Sequence, residues 1–224
     1  MKKVFLIVMI LGFGIANGQE KNSKKTISKG TWHLAGGISL NSSNNSYENF
    51  DFNQQADSDS FGFNFSPKIG YTISNNLVVG LGLRYGYHQH ENRNIDNSTL
   101  NNNSTNVNNS FTIAPYIKKY FSISERFLLS LQGELSYLYS QSKLKNSINN
   151  RENKNGFDRY SIGIRPGVTY FVSKNIALEA NLGFLGYTTS SPKNYENRNV
   201  KASNNNFSFN FNSSNIVFGV AFYL

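Results

Sequence analysis

Large apolar residues alternate with small or polar ones along most of the chain. In the final run from Ile216 to Leu224 every second residue is large and apolar, and Gly219 and Ala221 are among the smaller residues between them. Side chains two residues apart lie on the same face of a β-strand, so this alternation predicts strands with one apolar face. The pattern predicts eight strands, at about residues 30–40, 61–73, 77–89, 111–123, 127–140, 157–172, 176–188 and 207–224.

Three strand pairs repeat one another. The stretches Pro67–Tyr87, Pro115–Tyr137 and Pro166–Tyr187 each contain an alternating run, a short turn with a serine and a second alternating run, which predicts β-hairpins. We expect the polar connections between the predicted strand pairs to be loops, because they cannot bury enough apolar surface to fold alone. These Asn- and Ser-rich stretches are residues 41–60, 90–110, 141–156 and 190–206. Short turns therefore lie at one end of the sheet and long loops at the other.

The face opposite the large apolar side chains is rich in small residues and carries charges in mid-strand. A soluble barrel with an apolar interior would show the same alternation. The separation of short and long connections by end, and the small residues of the polar face, favour a membrane-spanning barrel with its polar face inside. We expect the inward charges to form a plug of ion pairs across neighbouring strands, and a solute path is the alternative. These charges are Lys68, Arg84, Lys118, Glu134, Arg165 and Glu179.

Aromatic residues recur at two depths on the apolar face, which is typical of the interfacial girdles of membrane barrels. One band is Tyr71, Phe121 and Tyr170, and the other is Tyr85, Tyr87, Tyr137, Tyr139 and Phe184. Tyr187 breaks the alternation and is expected to point inward. The prolines Pro67, Pro115 and Pro166 remove ladder donors and indicate bulges or bends. The alternation also changes in the last strand, which indicates a bulge near residues 212–215.

The N-terminus carries the pattern of a secretory signal peptide. Lys2 and Lys3 precede an apolar run that ends at Ile15, and small residues follow at Ala16 and Gly18. A membrane anchor is the alternative, but the run is shorter than the ~20 residues that a spanning helix needs. We therefore expect a signal peptide at 1–18, a periplasmic segment at 19–29 and the barrel at 30–224.

Composition excludes several classes of protein. The chain has no cysteine, which rules out a disulfide framework, a cysteine-based metal or redox site and the lipid attachment of a lipoprotein. The formal net charge is +9. Because the chain is expected to be exported, this charge favours anionic lipid head groups over nucleic acid as a partner.

Taken together, these residues resemble the small outer-membrane β-barrel family of the OmpA and OmpX type, over nearly the whole predicted mature chain. The resemblance implies an all-β fold, an eight-stranded antiparallel up-and-down transmembrane β-barrel with both chain ends in the periplasm. In that family the barrel-assembly machinery recognises a last strand of alternating apolar residues with a terminal aromatic. The matching positions here are Ile216, Phe218, Val220, Phe222 and Leu224, where Leu224 replaces the usual aromatic.

Few residues suggest chemistry. His33, His88 and His90 do not have the spacing of metal ligands, and we expect neither a metal nor a cofactor. Some barrels of this size modify lipid A with a His and a Ser or Asp, and His88 and His90 lie at the outer rim where such a site is expected. Basic residues in the third and fourth connections are candidates for contacts with glycolipid phosphates. They are Lys143, Lys145, Arg151, Lys154, Lys193, Arg198 and Lys201.

The sequence therefore predicts a monomeric, non-enzymatic outer-membrane protein with a structural or adhesion-like role carried by its external loops. A lipid-A-modifying enzyme and a secreted soluble β-sandwich that binds a ligand are the alternatives. The expected partners are outer-membrane lipid, lipopolysaccharide and, during insertion, the barrel-assembly machinery.

Overall fold

A computed structural model describes residues 24–49, 54–96, 102–147, 152–194, 203–210 and 217–224. The predicted signal peptide lies outside these residues. No helix within them is long and apolar enough to cross a membrane. The described strand segments are β1 (Trp32–Asn49), β2 (Gln54–Ser74), β3 (Leu77–Asp96), β4 (Asn102–Ser122), β5 (Phe127–Asn146), β6 (Glu152–Phe171), β7 (Ile176–Asn181), β8 (Phe184–Asn194), β9 (Asn204–Asn210) and β10 (Val217–Tyr223).

The strand segments close into one antiparallel barrel. Segments β1 to β6 each pair with the next one along the chain. Both β7 and β8 pair with β6, and β10 pairs with β7 and with β1, which closes the ring. Because β7 and β8 are successive parts of one barrel strand, as are β9 and β10, the segments occupy eight strand positions. The predicted eight-stranded barrel is confirmed, and the sandwich alternative is wrong because a sandwich consists of two separate sheets.

The strands are about twice as long as a bilayer requires. Segment β4 has 21 residues, whereas a tilted spanning strand needs ~9–11. The half of each strand next to the short turns carries the apolar outer face, which we call the membrane band. The other half is rich in Asn and Ser, and we call it the outer crown. The described crown consists of residues 41–49, 54–60, 88–96, 102–110, 140–146, 152–158, 188–194 and 204–206.

Most of the stretches predicted as loops are strands of the crown. The β1–β2 ladder continues to the pair Asn49 and Gln54, far beyond the last large apolar residues of the band. The loop prediction was wrong because it considered only apolar burial. Where two strands are already paired in the barrel wall, their backbone groups continue to pair beyond it. Polar side chains also form hydrogen bonds across the two strands. The Ser140 hydroxyl, for example, donates to Asn108 Oδ1 at 2.9 Å.

The three repeated prolines each interrupt one ladder. At Pro67 and Pro115 the ladder to the following strand has a gap, and pairing resumes beyond the gap in the same register. At Pro166 the register shifts by one residue between the β6–β7 and β6–β8 ladders. The extra residue falls at Leu182 and Gly183, where the backbone of Gly183 has a φ of 124°. A bulge therefore accompanies one of the prolines, and the other two prolines occupy gaps that leave the register unchanged.

The bulge corrects two of the sequence predictions. Beyond Gly183 the alternation is reversed, so Phe184 points into the barrel, where its ring lies 4.6 Å from the Arg165 guanidinium. Phe184 is therefore not part of the outer girdle. Tyr187, which was expected inside, is exposed on the outside. Each inserted residue reverses which of the following side chains face outward, so a direction assigned by alternation from one end of a strand is wrong beyond the bulge.

Elsewhere the predicted outward face is the face that the barrel exposes. Large apolar side chains are exposed along every wall of the membrane band, among them Leu34, Phe65, Ile69, Leu81, Ile117, Leu131, Ile164, Leu178, Phe218, Val220, Phe222 and Leu224. On β9, Phe207 and Phe209 are exposed, so the alternation changes between β9 and β10. The bulge predicted at 212–215 and the predicted assembly residue Ile216 lie outside the described residues.

A segment before β1 covers the short-turn end of the barrel. Ile27 is buried among the lowest inward side chains, and its backbone N–H donates to Asn76 Oδ1 at 2.7 Å. The Lys25 N–H donates to the Ser124 carbonyl at 3.2 Å, which fixes the segment to a second turn. The sequence predicts this stretch only as part of a periplasmic segment at 19–29. In the structure it is a cap on the barrel floor.

Candidate functional site

A cluster of polar side chains fills the lumen above the floor, and we call it the lower cluster. Its centre is Glu179 on β7. Glu179 Oε2 lies 2.8 Å from Lys118 Nζ. Glu179 Oε1 accepts from the Tyr223 hydroxyl at 2.8 Å and lies 3.2 Å from His33 Nε2. All members are nearly or fully buried, and they are His33, Tyr116, Lys118, Tyr120, Glu179 and Tyr223.

The lower cluster joins strands from opposite sides of the barrel. Lys118 lies on β4 and Glu179 on β7, so their ion pair crosses the lumen instead of linking neighbouring strands as predicted. The donors around the two oxygens of Glu179 satisfy most of the acceptor capacity of this carboxylate. A buried ion pair tolerates its loss of hydration only when such additional hydrogen bonds are present. The cluster therefore fills the lumen as a plug, and its buried charges are paired with each other inside it.

Sequence reasoning found only Lys118 and Glu179 of this cluster. His33 was considered only as a metal ligand, and the inward tyrosines Tyr116, Tyr120 and Tyr223 were not singled out. The alternation places all of them on the inward face, so their direction was available from the sequence. Their convergence on one carboxylate was not, because it depends on which strands face each other across the closed ring.

A hollow region, which we call the upper cavity, lies above the plug at the level of mid-strand. Its volume is about 170 Å³. Small and polar residues form much of its wall, including Ser66, Thr112, Ser136 and Ser161. Four cationic side chains and one carboxylate line it, namely Lys68, Arg84, Arg159, Arg165 and Glu134. Four of these were predicted as inward charges, and Arg159 was not among the predicted residues.

The single carboxylate of the upper cavity is already engaged. Glu134 Oε1 lies 2.8 Å from Arg165 Nε, and this pair joins neighbouring strands as the sequence suggested. Gln132 Nε2 donates to Glu134 Oε2 at 2.9 Å. Across the described chain, neither Lys68, Arg84 nor Arg159 is in ion-pair contact with a carboxylate. The upper cavity therefore carries a surplus of positive charge, unlike the plug beneath it.

Two buried polar atoms at the cavity wall have no hydrogen-bond partner among the described protein atoms. They are Thr112 Oγ1 and Gln132 Oε1. A buried polar atom without a partner costs roughly 1–3 kcal/mol, so native proteins usually supply one from protein, water or ligand. Both residues line the upper cavity, and the two atoms themselves are buried within its wall.

Basic side chains form a second cluster on the outside of the crown, and we call it the basic face. On β5 and β6, Lys143 and Lys154 occupy directly opposed positions, and Lys145 is opposite Glu152. Lys193 follows on β8, with its Nζ 2.5 Å from Asp158 Oδ2. The hydrogen bond from Lys154 holds the pKa of the Glu152 carboxyl below its ordinary value. The other predicted glycolipid contacts, Arg151, Arg198 and Lys201, lie outside the described residues.

The basic face stands directly above aromatic side chains of the outer girdle. Tyr137 and Tyr160 pack with ring centroids 5.0 Å apart on the same outer wall. Lys193 Nζ lies 5.4 Å from the centroid of Tyr139. On the opposite wall the crown is acidic, where Asp59 pairs with Arg93 and Glu91 stands beside them. The crown thus has one basic wall and one acidic wall.

The histidines considered for catalysis face the interior. His88 lines a small polar depression in the lumen of the crown together with Asn64, Gly86 and Ser110. The carboxylates that the structure describes make no ion pair with His88 or His90. No group of three or more His, Cys, Asp or Glu residues able to hold a metal is found in the described chain.

A comparison with known protein families agrees with this architecture. A family model described as "Outer membrane protein beta-barrel domain" matches residues 5–222. No curated protein matches the chain. Seven chains of solved structures match, and one is the crystal structure of Neisserial surface protein A (NspA). It is 16% identical, the match covers 89% of this chain and 99% of that chain, and the TM-score is 0.37. The fold assignment itself rests on the strand pairing described above.

Proposed function

The chain belongs to the outer membrane protein β-barrel family. We propose that it is a non-enzymatic surface protein whose outer crown makes the functional contacts. The observation that carries this proposal is the continued pairing of the strands beyond the membrane band. At ~3.4 Å per residue and a tilt of about 40°, the nine crown residues of β1 or β3 raise the crown roughly 23 Å above the band. A paired crown presents a fixed polar surface, which a set of flexible loops does not.

The crown has features of a contact surface. Cross-strand bonds on the outer face, such as that from Arg93 to Asp59 at 2.5 Å, order side chains that would otherwise be mobile. An adhesion-like role needs such ordering, because a surface that is already fixed loses less conformational entropy on binding. The inward direction of His88 disfavours the alternative of lipid-A modification, because the lipid contacts the outside of the wall.

We propose that the crown's basic face binds the phosphates of outer-leaflet lipopolysaccharide. Lys143, Lys145, Lys154 and Lys193 share the outer wall of β5, β6 and β8, close above the aromatic girdle. A basic cluster near the head-group level attracts anionic lipid by roughly 1 kcal/mol per residue. Lipopolysaccharide carries phosphate groups at the level of the outer-leaflet head groups, where these lysines lie.

The proposal includes the route by which the protein reaches the membrane. We propose that residues 1–18 are a cleaved signal peptide and that both chain ends are periplasmic. We also propose that the exposed Phe218, Val220 and Phe222 contribute to recognition by the barrel-assembly machinery, and that the protein is a monomer. The long crown at one end and the short turns at the other support this orientation.

Trimming the crown tests the surface role. Residues 90–106 of the β3–β4 hairpin are replaced by Asn-Gly, which joins the paired positions Gln89 and Val107. The same cut is made in the β5–β6 hairpin as a second variant. Because each cut follows the register, we expect both barrels to fold and to keep a heat-dependent shift in gel mobility. Attachment of expressing cells to surfaces or other cells should fall. Unchanged attachment in both variants would contradict the surface role.

Charge removal tests the glycolipid contact. We expect Lys143→Gln/Lys154→Gln to weaken binding of the folded barrel to lipopolysaccharide. The matched control is Lys29→Gln/Lys174→Gln, which removes the same charge from exposed positions at the opposite end. Equal loss of binding in both variants would show that net charge, and not the basic face, governs the interaction.

A further inference from the structure

We propose that the upper cavity is a binding site for one small oxyanion of the phosphate or carboxylate class, held inside the barrel above the plug. The inference rests on three observations, which are a surplus of cations, the guanidinium groups of two of them and a lumen whose lower end is filled. It goes beyond the proposed surface role, because it concerns the interior and not the crown.

The charge balance of the cavity is the first observation. Four cations and one carboxylate line it, and that carboxylate is already paired with Arg165. Positive charges confined in a narrow lumen repel one another, and the surrounding membrane screens them less than bulk water does. An anion in the cavity relieves this repulsion. In the lower cluster the positive charge of Lys118 is paired with the carboxylate of Glu179. Among the described residues, the upper cavity has no such carboxylate for three of its four cations.

The types of donor are the second observation. Two of the cations without an ion pair, Arg84 and Arg159, are guanidinium groups, which bind oxyanions through two parallel N–H bonds. Arg159 stacks on Phe157 at 4.9 Å, which restricts its direction. Lys68 on β2 adds a third cation, across the lumen from Arg159 on β6. Thr112 on β4 is paired with Arg84 on the neighbouring strand β3 and lines the same cavity.

The shape of the lumen is the third observation. Below the cavity, the Lys118–Glu179 pair and the buried tyrosines fill the cross-section, and Ile27 covers the floor. Above the cavity, inward positions carry small polar residues such as Asn64, Gly86 and Ser110. Because the lower end of the lumen is filled, an anion would reach the cavity from the crown side. A volume of about 170 Å³ holds a phosphate or a small carboxylate with a few waters and excludes larger solutes.

Calorimetric titration with inorganic phosphate tests the site. The purified folded barrel is kept in an uncharged detergent, because an anionic detergent would compete. We expect saturable binding of one phosphate per barrel, weakened by added sulfate and little affected by chloride. Acetate is titrated separately, so that tighter phosphate or tighter acetate binding identifies the subclass. The absence of saturable binding of either ion to the wild-type barrel at millimolar concentration overturns the proposal.

Two variants locate the bound ion. Arg84→Gln should lower phosphate affinity about tenfold, which is the effect of one charge-assisted bond. Arg126→Gln removes the same charge from an exposed turn and should leave affinity unchanged. Arg159→Gln removes the second guanidinium group without an ion pair from the cavity, and we expect it to weaken binding by a similar factor even if Arg84→Gln fails to fold. Equal affinities of all three variants and the wild type would place the ion elsewhere and overturn the assignment.

Discussion

The lower cluster and the upper cavity lie on the same barrel walls, within a few residues of each other, and yet they treat charge in opposite ways. In the lower cluster one carboxylate meets one lysine and several hydroxyl and imidazole donors, all buried. In the upper cavity four cations share one carboxylate, and the wall is hollow. The difference shows that the inward face of a small barrel can match its charges internally at one level and leave a surplus of positive charge at another.

The physical reason lies in the depth of desolvation. A charge with almost no contact to water must be matched by protein groups, because nothing else is available to solvate it. Lys118 and Glu179 are in that position, with side chains that are 2% and 7% exposed. Arg84 and Arg159 are exposed to the lumen, where water or an ion can approach them. Unmatched cations are therefore tolerated in the upper cavity and would not be tolerated in the plug.

The largest effect is expected from breaking the plug. Glu179→Gln leaves Lys118 buried without an anion, and we expect a loss of about 3–5 kcal/mol in the free energy of unfolding. Glu134→Gln, at the level of the cavity, should cost only about 1–3 kcal/mol, because Arg165 keeps access to water. Denaturant titration of the two barrels in micelles compares them. Equal losses for the two substitutions would erase the distinction between the regions.

The floor should matter nearly as much as the plug. Ile27→Ala removes a buried side chain from beneath the lower cluster, and we expect it to cost about 2–3 kcal/mol of unfolding free energy. The control is Ile69→Ala on the lipid face, where Ile69 is 47% exposed and its loss leaves no internal void. The same denaturant titration measures both. A larger cost at Ile69 would mean that the segment before β1 is not a cap.

A smaller effect sharpens the account of the cavity. Glu134→Gln removes the one carboxylate of the cavity, and we expect phosphate affinity to rise about threefold to tenfold as the positive surplus grows. Calorimetry in the uncharged detergent measures the change. Lower affinity in this variant would show that Glu134 supports the site by positioning Arg165 more than it opposes the anion by charge.

The smallest effect is expected on the outside of the crown. Glu152 is exposed and its pKa is lowered by the hydrogen bond from Lys154. Such a carboxylate stabilises the fold above its unfolded pKa, and the contribution is lost as the pH falls through the lower folded value. Water screens the pair, so Glu152→Gln should leave the unfolding midpoint unchanged at neutral pH. A measurable shift would mean that crown ion pairs hold the hairpins together.

The sequence alone was sufficient for the wall and insufficient for what the wall encloses. Alternation identified the lipid face and placed Lys118, Glu134 and Glu179 inside, because the side-chain period of a strand is a local property. The pairing of Lys118 with Glu179 across the lumen depends on ring closure and register, which no local pattern contains. Phe184 and Tyr187 were placed wrongly because a one-residue bulge reverses the alternation without a composition signal of its own.

The crown was misjudged for a related reason. The Asn- and Ser-rich stretches bury little apolar surface, so residues 41–60 were expected to be loops. Apolar burial is a weak guide where a neighbouring strand already supplies hydrogen-bond partners, and the barrel supplies them along the whole hairpin. The role of Ile27 was missed because one isoleucine in a polar segment gives no periodic signal. In each case the deciding contact is distant along the chain.

Thiol labelling tests the division of the lumen most directly, because the chain contains no cysteine and each single variant has one reactive site. Thr169→Cys and Ser130→Cys lie in the buried lower lumen, and Ser136→Cys and Ser161→Cys line the upper cavity. With a small water-soluble reagent on the folded barrel, we predict rapid labelling at the upper pair, faster for an anionic than for a cationic reagent, and protection at the lower pair. Equal labelling at both levels, or a preference for the cationic reagent in the cavity, would contradict the account.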